Sequence, residues 1–403
     1  MGHEHAGLFC NDDGLAAQLT KAQNDFSRIA ALSARGFASR SQLDAARAAR
    51  DALRDAGLSM RDVDGLLSTG MWGVPGPGQM PTLTLAEYFG IAPRFIDSTN
   101  IGGAAFEAFV AHAATAIEAG RCEVALLTYG STQKSEKSRN LAGRPSVLTM
   151  QYETPWGMPT PVGGYAMAAM RHMHEYGTTS THLAEIAVAT RKWAQLNPAA
   201  MMRGPLTIED VFASPMISDP LHLLDACLVT DGGGAIVMTT AEHAKALGRA
   251  PVYVRGYGES NTHWTMAAMP DLTRLTAAEI AGREAFRMAG IGHDAIDVAQ
   301  IYDSFTITVL LTLEALGFCK RGEGDAFVSS QRTAPGGVFP LNTSGGGLSC
   351  AHAGMLGIFL LIEAVRQLRG ECGERQVQNA RTALVHGTGG TLSSGATCIL
   401  SQS

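Results

Sequence analysis

A glycine-rich turn that leads to a thiol and an imidazole is the stretch of this chain best suited to chemistry. Three glycines at 345–347 precede Cys350 and His352, and an apolar run at 358–366 follows. Glycines let backbone amides approach a ligand closely, and a helix N-terminus supplies unpaired N–H donors at the positive end of its dipole. A thiol and an imidazole two residues apart could supply nucleophilic or proton-transfer chemistry. The pattern is equally typical of a tight turn into a buried helix, and spacing alone does not separate the two interpretations.

The composition indicates a globular protein with a large core. The chain has 403 residues, of which 46% are apolar and 17% charged, as in ordinary globular domains. The net charge of −6 does not favour binding to nucleic acid or to an anionic membrane. No apolar run reaches the ~18 residues that a membrane span needs, and residues 1–7 lack the basic and apolar parts of a signal peptide. Seven cysteines, an odd number without metal-ligand spacing, indicate reduced thiols, so we expect a cytoplasmic protein without nucleic-acid or membrane partners.

Two His-x-His pairs are the candidates for a metal site. They are His3 with His5 and His172 with His174. Metal sites usually combine such pairs with further cysteine, histidine or carboxylate ligands. Neither pair has a cluster of this kind nearby in the sequence, so we expect no metal site.

Helical and strand patterns alternate along the chain. Predicted helices lie at 42–56, 82–89, 104–119, 183–196, 277–288 and 358–366. Predicted strands lie at 28–33, 62–68, 123–130, 232–238 and 251–255. This alternation predicts mostly parallel sheets covered by helices on both faces. Residues 131–219 break the pattern because they are polar, loop-rich and rich in methionine, which indicates an inserted loop domain over a sheet.

The second half of the chain repeats features of the first. Two predicted helices end at Gly57 and Gly290, which are 290 − 57 = 233 residues apart. The same spacing separates Asp64 from Asp297. A duplicated β-α-β-rich unit explains these matches. We therefore predict an N-terminal arm, a first half containing the loop domain, and a second half, with bounds at 1–25, 26–250 (insertion 131–219) and 251–403.

The order of short motifs resembles the thiolase superfamily from about residue 26 onward. The resemblance is carried by Asp62-Val-Asp64, Gly102-Gly103, Asp231-Gly-Gly-Gly234, Tyr302-Asp-Ser-Phe305, Asn342-Thr-Ser-Gly-Gly-Gly347 with His352, and His386-Gly-Thr-Gly-Gly390. It implies an α/β, five-layered fold of two similar β-α-β-α-β-α-β-β halves with an inserted loop domain. It also implies a coenzyme A thioester as substrate, no covalently bound cofactor, and a homodimer or a dimer of dimers.

Three positions depart from the pattern of the catalytic thiolases. Asn100 stands where that family has its nucleophilic cysteine, and an amide can donate a hydrogen bond to a thioester or enolate oxygen but is not a nucleophile. Tyr302 replaces an asparagine that orients a water molecule at the oxyanion hole. His386 replaces the second cysteine, which moves a proton at the substrate α-carbon, whereas the histidine of the Gly-His-Pro motif is retained as His352. The resemblance therefore does not imply covalent acyl transfer through a cysteine at the position of Asn100.

These departures resemble the lipid-transfer-type, or sterol-carrier-type, branch of the superfamily. Some of its members are retro-aldolases that use tyrosines, and many work with a small zinc-ribbon/OB-fold partner. Tyr302 matches one such tyrosine, but the second, expected near 350–353, is absent. We expect Tyr302 and His386 to act as acid/base groups, and His352 and Asn100 to bind the thioester oxygen. The glycines expected to let substrate lie against the backbone are Gly345, Gly346, Gly347, Gly387 and Gly389.

Three functions remain open from the sequence. The first is an enzyme that makes or breaks a carbon–carbon bond β to an acyl-CoA thioester by aldol- or Claisen-type chemistry. The second is an acetyl-CoA acetyltransferase that uses another thiol, such as Cys350. The third is a non-catalytic acyl-CoA-binding subunit of a complex with an OB-fold partner. Imidazoles at both C-terminal motifs favour chemistry, and we predict that Tyr302 and His386 face one substrate carbon in a pocket shared with His352, where sheet strands end.

Overall fold

The computed structural model describes residues 7–10, 40–70, 80–137, 151–158 and 161–403. The helices in this part of the chain are α1 (Arg40–Asp55), α2 (Pro81–Phe89), α3 (Ala105–Glu118), α4 (Val162–Tyr176), α5 (Ser180–Gln195), α6 (Ile208–Ala213), α7 (Ala241–Ala246), α8 (Thr276–Ala289), α9 (Thr306–Ala315), α10 (Gly324–Val328) and α11 (Gly357–Arg369). The strands are β1 (Gly7–Cys10), β2 (Gly65–Leu67), β3 (Phe95–Asp97), β4 (Val124–Ser131), β5 (Met216–Ser218), β6 (Leu221–His222), β7 (Gly232–Thr239), β8 (Val252–Asn261), β9 (Val298–Ile301), β10 (Thr382–Gly389) and β11 (Ser394–Ser401).

The main sheet has the same strand arrangement in both halves. Its order is β3-β2-β4-β7-β1-β8-β11-β10-β9. In the first half β2 pairs with β4 in parallel, and β4–β7 and β7–β1 are antiparallel. In the second half β9 pairs with β10 in parallel, and β10–β11 and β11–β8 are antiparallel. The two orders mirror each other about the β1–β8 pair, which is the topology expected of a duplicated unit.

The helices α3 and α11 form the central layer. Phe106, Phe109 and Val110 of α3 share one buried cluster with Leu361 and Ala364 of α11. Helix α1 packs on the outer side of β4 and β7, and α8 packs on the outer side of β8 and β11. A helix apolar on nearly every side is stable only where other elements cover it all round, which explains the alanine-rich sequence of α3. The predicted five-layered α/β fold is confirmed, with α3 and α11 packed together at its centre.

Several elements of the structure were not predicted from the sequence. Residues 7–10, predicted as part of an arm, pair with both β7 and β8. The strand predicted at 28–33 lies outside the described residues. Helix α4 was not predicted inside the insertion, although Tyr165, Ala168, Ala169 and His172 bury one face at helical spacing. None of the helices within the described ranges is long and apolar enough to cross a membrane.

Candidate active site

A cavity of about 350 Å³ opens where β9 and β10 end, beside the N-terminus of α3. The first half contributes Asn100, Gly103 and Gln133 to its wall. The second half contributes Tyr302, His352 and Thr388. Ligands of α/β folds bind at the carboxyl ends of strands. The cavity is therefore the candidate active site, and both halves are needed to build it.

Tyr302 and His352 form a hydrogen-bonded pair in this cavity. The Tyr302 Oη lies 2.8 Å from His352 Nε2, and the Leu356 N–H donates to Tyr302 Oη at 3.2 Å. The two rings meet edge to face, with centroids 5.7 Å apart. Burial raises the pKa of Tyr302 well above its usual value, so the phenol is protonated at neutral pH. A protonated phenol next to an imidazole can pass a proton between a substrate oxygen and that imidazole.

Asp303 connects the tyrosine to the turn that carries the histidine. Its carboxylate accepts hydrogen bonds from the Gly347 N–H at 2.6 Å and the Leu348 N–H at 3.2 Å. These amides belong to the π-helical turn 346–350, which leads directly to His352. Burial raises the pKa of Asp303 to about 7. The side chain therefore fixes the end of β9 against the turn and sets the position of His352 relative to Tyr302.

The glycines expected to contact substrate have packing roles in this structure. A Cβ at Gly346 would collide with the Asp303 carboxylate, and a Cβ at Gly345 would collide with Ala194. At the other turn, Gly387 and Gly389 let β10 approach the start of α3, since a Cβ there would collide with Glu107 or with the Ile101 carbonyl. Gly102, Gly103, Gly354 and Gly390 are the glycines that line the cavity. The five glycines expected to contact substrate, which are Gly345, Gly346, Gly347, Gly387 and Gly389, thus shape the site without lining it.

His386 is placed apart from the other two expected acid/base groups. Its side chain is fully buried, does not line the cavity, and pairs through Nδ1 with Thr397 Oγ1 at 2.8 Å. Because side chains alternate along a strand, it lies on the same face of β10 as Leu384, which packs in the outer cluster of the second half. Burial lowers the pKa of His386 to about 3. The backbone carbonyl of His386 nevertheless accepts the Tyr302 N–H at 2.9 Å, so this residue positions Tyr302.

Cys350 also lies outside the cavity. Its thiol faces Asn197, with Nδ2 3.5 Å from Sγ. Burial raises the pKa of Cys350 to about 12. A thiol is nucleophilic only as the thiolate, so the structure provides no activation for the nucleophile considered at this position.

Asn100 is at the cavity wall, as the sequence predicted. Its side chain is exposed, and Oδ1 accepts the Gly102 N–H at 3.3 Å. That contact does not use the amide NH₂ group of Asn100, which can donate a hydrogen bond to a carbonyl oxygen.

Several further lining residues were not singled out from the sequence. Gln133 donates from Nε2 to the His352 carbonyl at 2.8 Å, which ties the first half to the histidine backbone. His263 bonds the Thr391 carbonyl through Nε2 at 3.2 Å, and burial lowers its pKa. Cys227 and Thr388 also line the cavity. Thr388 had a sequence signal, because it lies inside the His386–Gly390 motif.

The structure describes one of the two histidine pairs that were considered as metal ligands. His172 is buried and bonds Thr178 Oγ1 at 2.8 Å and Glu314 Oε1 at 3.1 Å. His3 and His5 lie outside the described residues. Within the ranges that the structure covers, no group of three or more His, Cys, Asp or Glu side chains is arranged to hold a metal ion.

A two-half α/β fold with a Tyr–His pair at the strand ends defines a thiolase-like enzyme, and comparisons with known proteins agree. Residues 258–402 match the family model for a thiolase C-terminal domain-like unit. The 17-hydroxy-3-oxo-4-pregnene-20-carboxyl-CoA lyase of Mycobacterium tuberculosis is 37% identical over 340 residues, covering 81% of this chain and 86% of that protein. The acetyl-CoA acetyltransferase of Methanothermobacter thermautotrophicus is 33% identical over 362 residues, covering 87% of this chain and 92% of that protein.

A solved structure described as an Ltp2-ChsH2(DUF35) aldolase has the same fold. It superposes with a TM-score of 0.80 at 30% identity and covers 98% of this chain and 97% of that chain. The chain belongs to the thiolase superfamily, in the branch that includes sterol carrier protein 2. The predicted enzyme class, thiolase-type carbon–carbon bond chemistry at an acyl-CoA thioester, is confirmed at this level.

Proposed function

We propose that this enzyme cleaves β-hydroxyacyl-CoA thioesters by a retro-aldol reaction, without a covalent enzyme intermediate. The observation that carries the proposal is the 2.8 Å contact between Tyr302 Oη and His352 Nε2 inside the cavity. Asn100 stands where the resembled family has its nucleophile, and Cys350 lies outside the cavity with its thiol against Asn197. A proton-transfer pair without a nucleophile suits bond cleavage by acid/base chemistry better than acyl transfer.

The pair moves one proton from the substrate β-hydroxyl group. Because the pKa of Tyr302 is raised by burial, a free phenolate is unfavourable, and the phenol acts as a relay. As the hydroxyl group gives its proton to Tyr302 Oη, the phenolic proton passes to His352 Nε2. The Leu356 N–H, 3.2 Å from Oη, stabilises negative charge on the oxygen during transfer.

Cleavage then conserves all atoms and electrons. The β-oxygen forms a carbonyl group, the bond between the α- and β-carbons breaks, and its electron pair moves into the thioester as an enolate. An aldehyde or ketone leaves. The proton held by the Tyr302–His352 pair returns to the α-carbon and gives a shortened acyl-CoA. The Asn100 amide is placed to donate to the enolate oxygen, which is the role expected from the sequence.

The decisive experiment is cleavage without added coenzyme A. Thiolysis consumes one free CoA per turnover, whereas retro-aldol cleavage consumes none. We expect the purified protein to convert a β-hydroxyacyl-CoA, such as 17-hydroxy-3-oxo-4-pregnene-20-carboxyl-CoA, into a ketone and a shortened acyl-CoA with no CoA present. In D₂O the product should carry one deuterium at its α-carbon. Cleavage that depends strictly on added CoA would refute the proposal.

Acyl transfer remains the second candidate, because one thiol does line the cavity. Cys227 shares the cavity wall with Tyr302 and His352, and the archaeal relative is an acetyl-CoA acetyltransferase. Intact mass measured after incubation with acetyl-CoA separates the two functions. A 42-Da adduct, the mass of an acetyl group replacing a proton, that is lost in Cys227→Ser would favour acyl transfer.

The assembly and compartment belong to the same proposal. We expect a homodimer or dimer of dimers, joined by a small zinc-ribbon/OB-fold partner. The Ltp2-ChsH2(DUF35) structure, which this fold matches along nearly its whole length, supports such a partner. A non-catalytic role that depends on the partner would appear as acyl-CoA binding without turnover. The six free cysteines among the described residues support a reducing, cytoplasmic compartment.

A further inference from the structure

We propose that Asn342 is a positioning residue that holds Tyr302 and His352 at the separation needed for proton transfer. Asn342 is fully buried and does not line the cavity, so it acts on the substrate only through these two side chains. The inference rests on the proposed function only in assigning the proton to the Tyr302–His352 pair. The contacts that carry it are present whichever reaction the enzyme catalyses.

The side chain of Asn342 takes the place of a further strand beside β9. The Ala299 N–H donates to the Pro340 carbonyl, and the Asn342 N–H donates to the Ala299 carbonyl, both at 3.0 Å, as in a parallel pair of strands. The chain then turns at 343–344, and the Asn342 side chain continues the ladder. Its Oδ1 accepts the Ile301 N–H at 2.8 Å, and its Nδ2 donates to the Ile301 carbonyl at 2.9 Å. One amide therefore holds both backbone groups of the residue before Tyr302.

The backbone of Asn342 starts the turn that carries His352. Its φ is +53°, in the left-handed region where asparagine is one of the few residues other than glycine that are regularly found. Its carbonyl group accepts the Gly345 N–H at 2.8 Å. The Gly345 carbonyl in turn accepts the Ser349 and Cys350 N–H groups at 2.9 and 3.0 Å. These hydrogen bonds connect Asn342 to the π-helical turn directly before His352.

Asn342 also interacts with the residue after Tyr302, which is Asp303. Burial raises the pKa of Asp303 to about 7. Hydrogen bonds from two backbone amides of the turn 346–350 and from the Asn342 side chain oppose this rise. An amide NH₂ group has two donors, so one can bond the carbonyl group before Tyr302 while the other faces Asp303. Asn342 therefore contacts both chain neighbours of Tyr302.

Proton transfer is the step that depends most on this arrangement. Tyr302 Oη and His352 Nε2 are 2.8 Å apart, although their residues are 50 positions apart in the sequence. Misplacement of a reacting group by about 1 Å can cost about 10²-fold in rate. Binding of an acyl-CoA does not require the contact between these two side chains. Loss of the Asn342 amide should therefore lower kcat and leave the affinity for acetyl-CoA nearly unchanged.

Two substitutions separate the amide group from the backbone conformation. Asn342→Gly permits the same positive φ but removes the side chain, so kcat should fall about 10²-fold at every pH. Asn342→Asp keeps the shape, and burial next to Asp303 raises the pKa of such a carboxyl group. The ionised carboxylate can accept the Ile301 N–H but cannot donate to the Ile301 carbonyl, whereas the protonated acid can do both. Relative to the native protein, kcat of Asn342→Asp should be about 10²-fold lower at pH 8.5 and should recover towards pH 5.5.

Gln376 provides a matched control for the change from amide to acid. Its side chain likewise joins two backbone groups, since Oε1 accepts the Cys372 N–H at 3.0 Å and Nε2 donates to the Gln367 carbonyl at 2.8 Å. Gln376 does not line the cavity. Gln376→Glu loses the same kind of donor and should lower the melting temperature at pH 8.5, but its kcat relative to the native protein should not change with pH.

Crystal structures test the inference without any substrate. In Asn342→Gly, and in Asn342→Asp at pH 8.5, we expect Tyr302 Oη and His352 Nε2 to be farther apart than a hydrogen bond. In Asn342→Asp at pH 5.5 we expect the native contact. If Asn342→Gly does not fold, the two pH values for Asn342→Asp provide the same comparison.

The inference is overturned if the Tyr302–His352 contact persists in these variants at pH 8.5, or if they cleave substrate at the native rate there. It is also overturned if the Kd of acetyl-CoA rises as much as kcat falls, or if Gln376→Glu loses activity with the same dependence on pH. Loss of the contact in both variants of Asn342, together with a native protein that cleaves no β-hydroxyacyl-CoA, would support the positioning role and refute the proposed function alone.

Discussion

Glu107 is a buried carboxyl group whose protonation should make the stability of this protein depend on pH. It lies in the first turn of α3, is 1% exposed, and neither carboxylate oxygen accepts a hydrogen bond from another described residue. Burial raises the pKa of Glu107 from 4.5 to about 8. The folded protein therefore holds this group neutral at pH 7, whereas the unfolded chain ionises it, and folding takes up one proton.

The dependence of the free energy of unfolding on pH follows from the difference in the pKa of Glu107 between the folded and unfolded states. The group costs no stability below pH 4.5, where both states are protonated. Between pH 4.5 and 8 the free energy of unfolding should fall by about 1.4 kcal/mol per pH unit, and above pH 8 the loss should level off. At pH 7 the accumulated loss is roughly 3 kcal/mol for a folded pKa of about 8. Glu107→Gln cannot ionise, so the stability of the variant should lack this contribution.

Urea unfolding of both proteins at pH 5.5, 6.5, 7.5 and 8.5 tests this prediction. The difference in free energy of unfolding between Glu107→Gln and the native protein should grow in favour of the variant up to about pH 8. A difference that is constant over this range would refute the reasoning, because Glu107 would then titrate alike in both states. Glu363 provides the opposite control: it is equally buried but pairs with Arg375 at 3.0 Å. Glu363→Gln should destabilise by about 3–5 kcal/mol, since it leaves a buried cation unpaired.

Four other outcomes are expected. Tyr302→Phe should lower the turnover of β-hydroxyacyl-CoA by about 10²-fold or more while leaving acyl-CoA affinity nearly unchanged; unchanged turnover would make Tyr302 a packing residue. Asn100→Ala should reduce kcat by roughly ten- to a thousand-fold as an oxyanion donor is lost, and Asn100→Cys should recover little thiolysis. Cys350→Ser should cleave at the native rate, because this thiol lies outside the cavity; a strong loss would reinstate it as a catalytic group. Sedimentation at micromolar concentration should show a dimer or larger, and a stable monomer would contradict the assembly expected from the family.

Hydrophobic periodicity was sufficient to locate most of the framework. Helix α1 was predicted at 42–56 and found at Arg40–Asp55, and β7 was predicted at 232–238 and found at Gly232–Thr239. These elements bury continuous apolar faces, so composition and spacing determine them. The motif order also identified the superfamily. Helix α4 was missed because glycines at its start and methionines on its exposed face weaken the helical pattern.

The directions of individual side chains could not be predicted in the same way. His386 and Gly387 are neighbours in sequence but lie on opposite faces of β10, so a shift of one position decides whether a group reaches the α3 side or the outer layer. Cys350 and His352 are two residues apart, yet only His352 lines the cavity, because a π-helical turn ends between them. Spacing suggested that both could react, and only the path of the backbone separates them.

The division of the cavity between the two halves has an evolutionary consequence. The turn at Asn100–Gly103 precedes α3 and the turn at Thr343–Gly346 precedes α11, and the strand order of one half runs in reverse in the other. A single unit would contain only one wall of the cavity. An ancestor made of one unit would have needed a second copy to enclose a substrate, with two equivalent sites related by symmetry. Fusion of the two copies released each half from serving both purposes, so that one half could keep hydrogen-bond donors while the other acquired the Tyr–His pair.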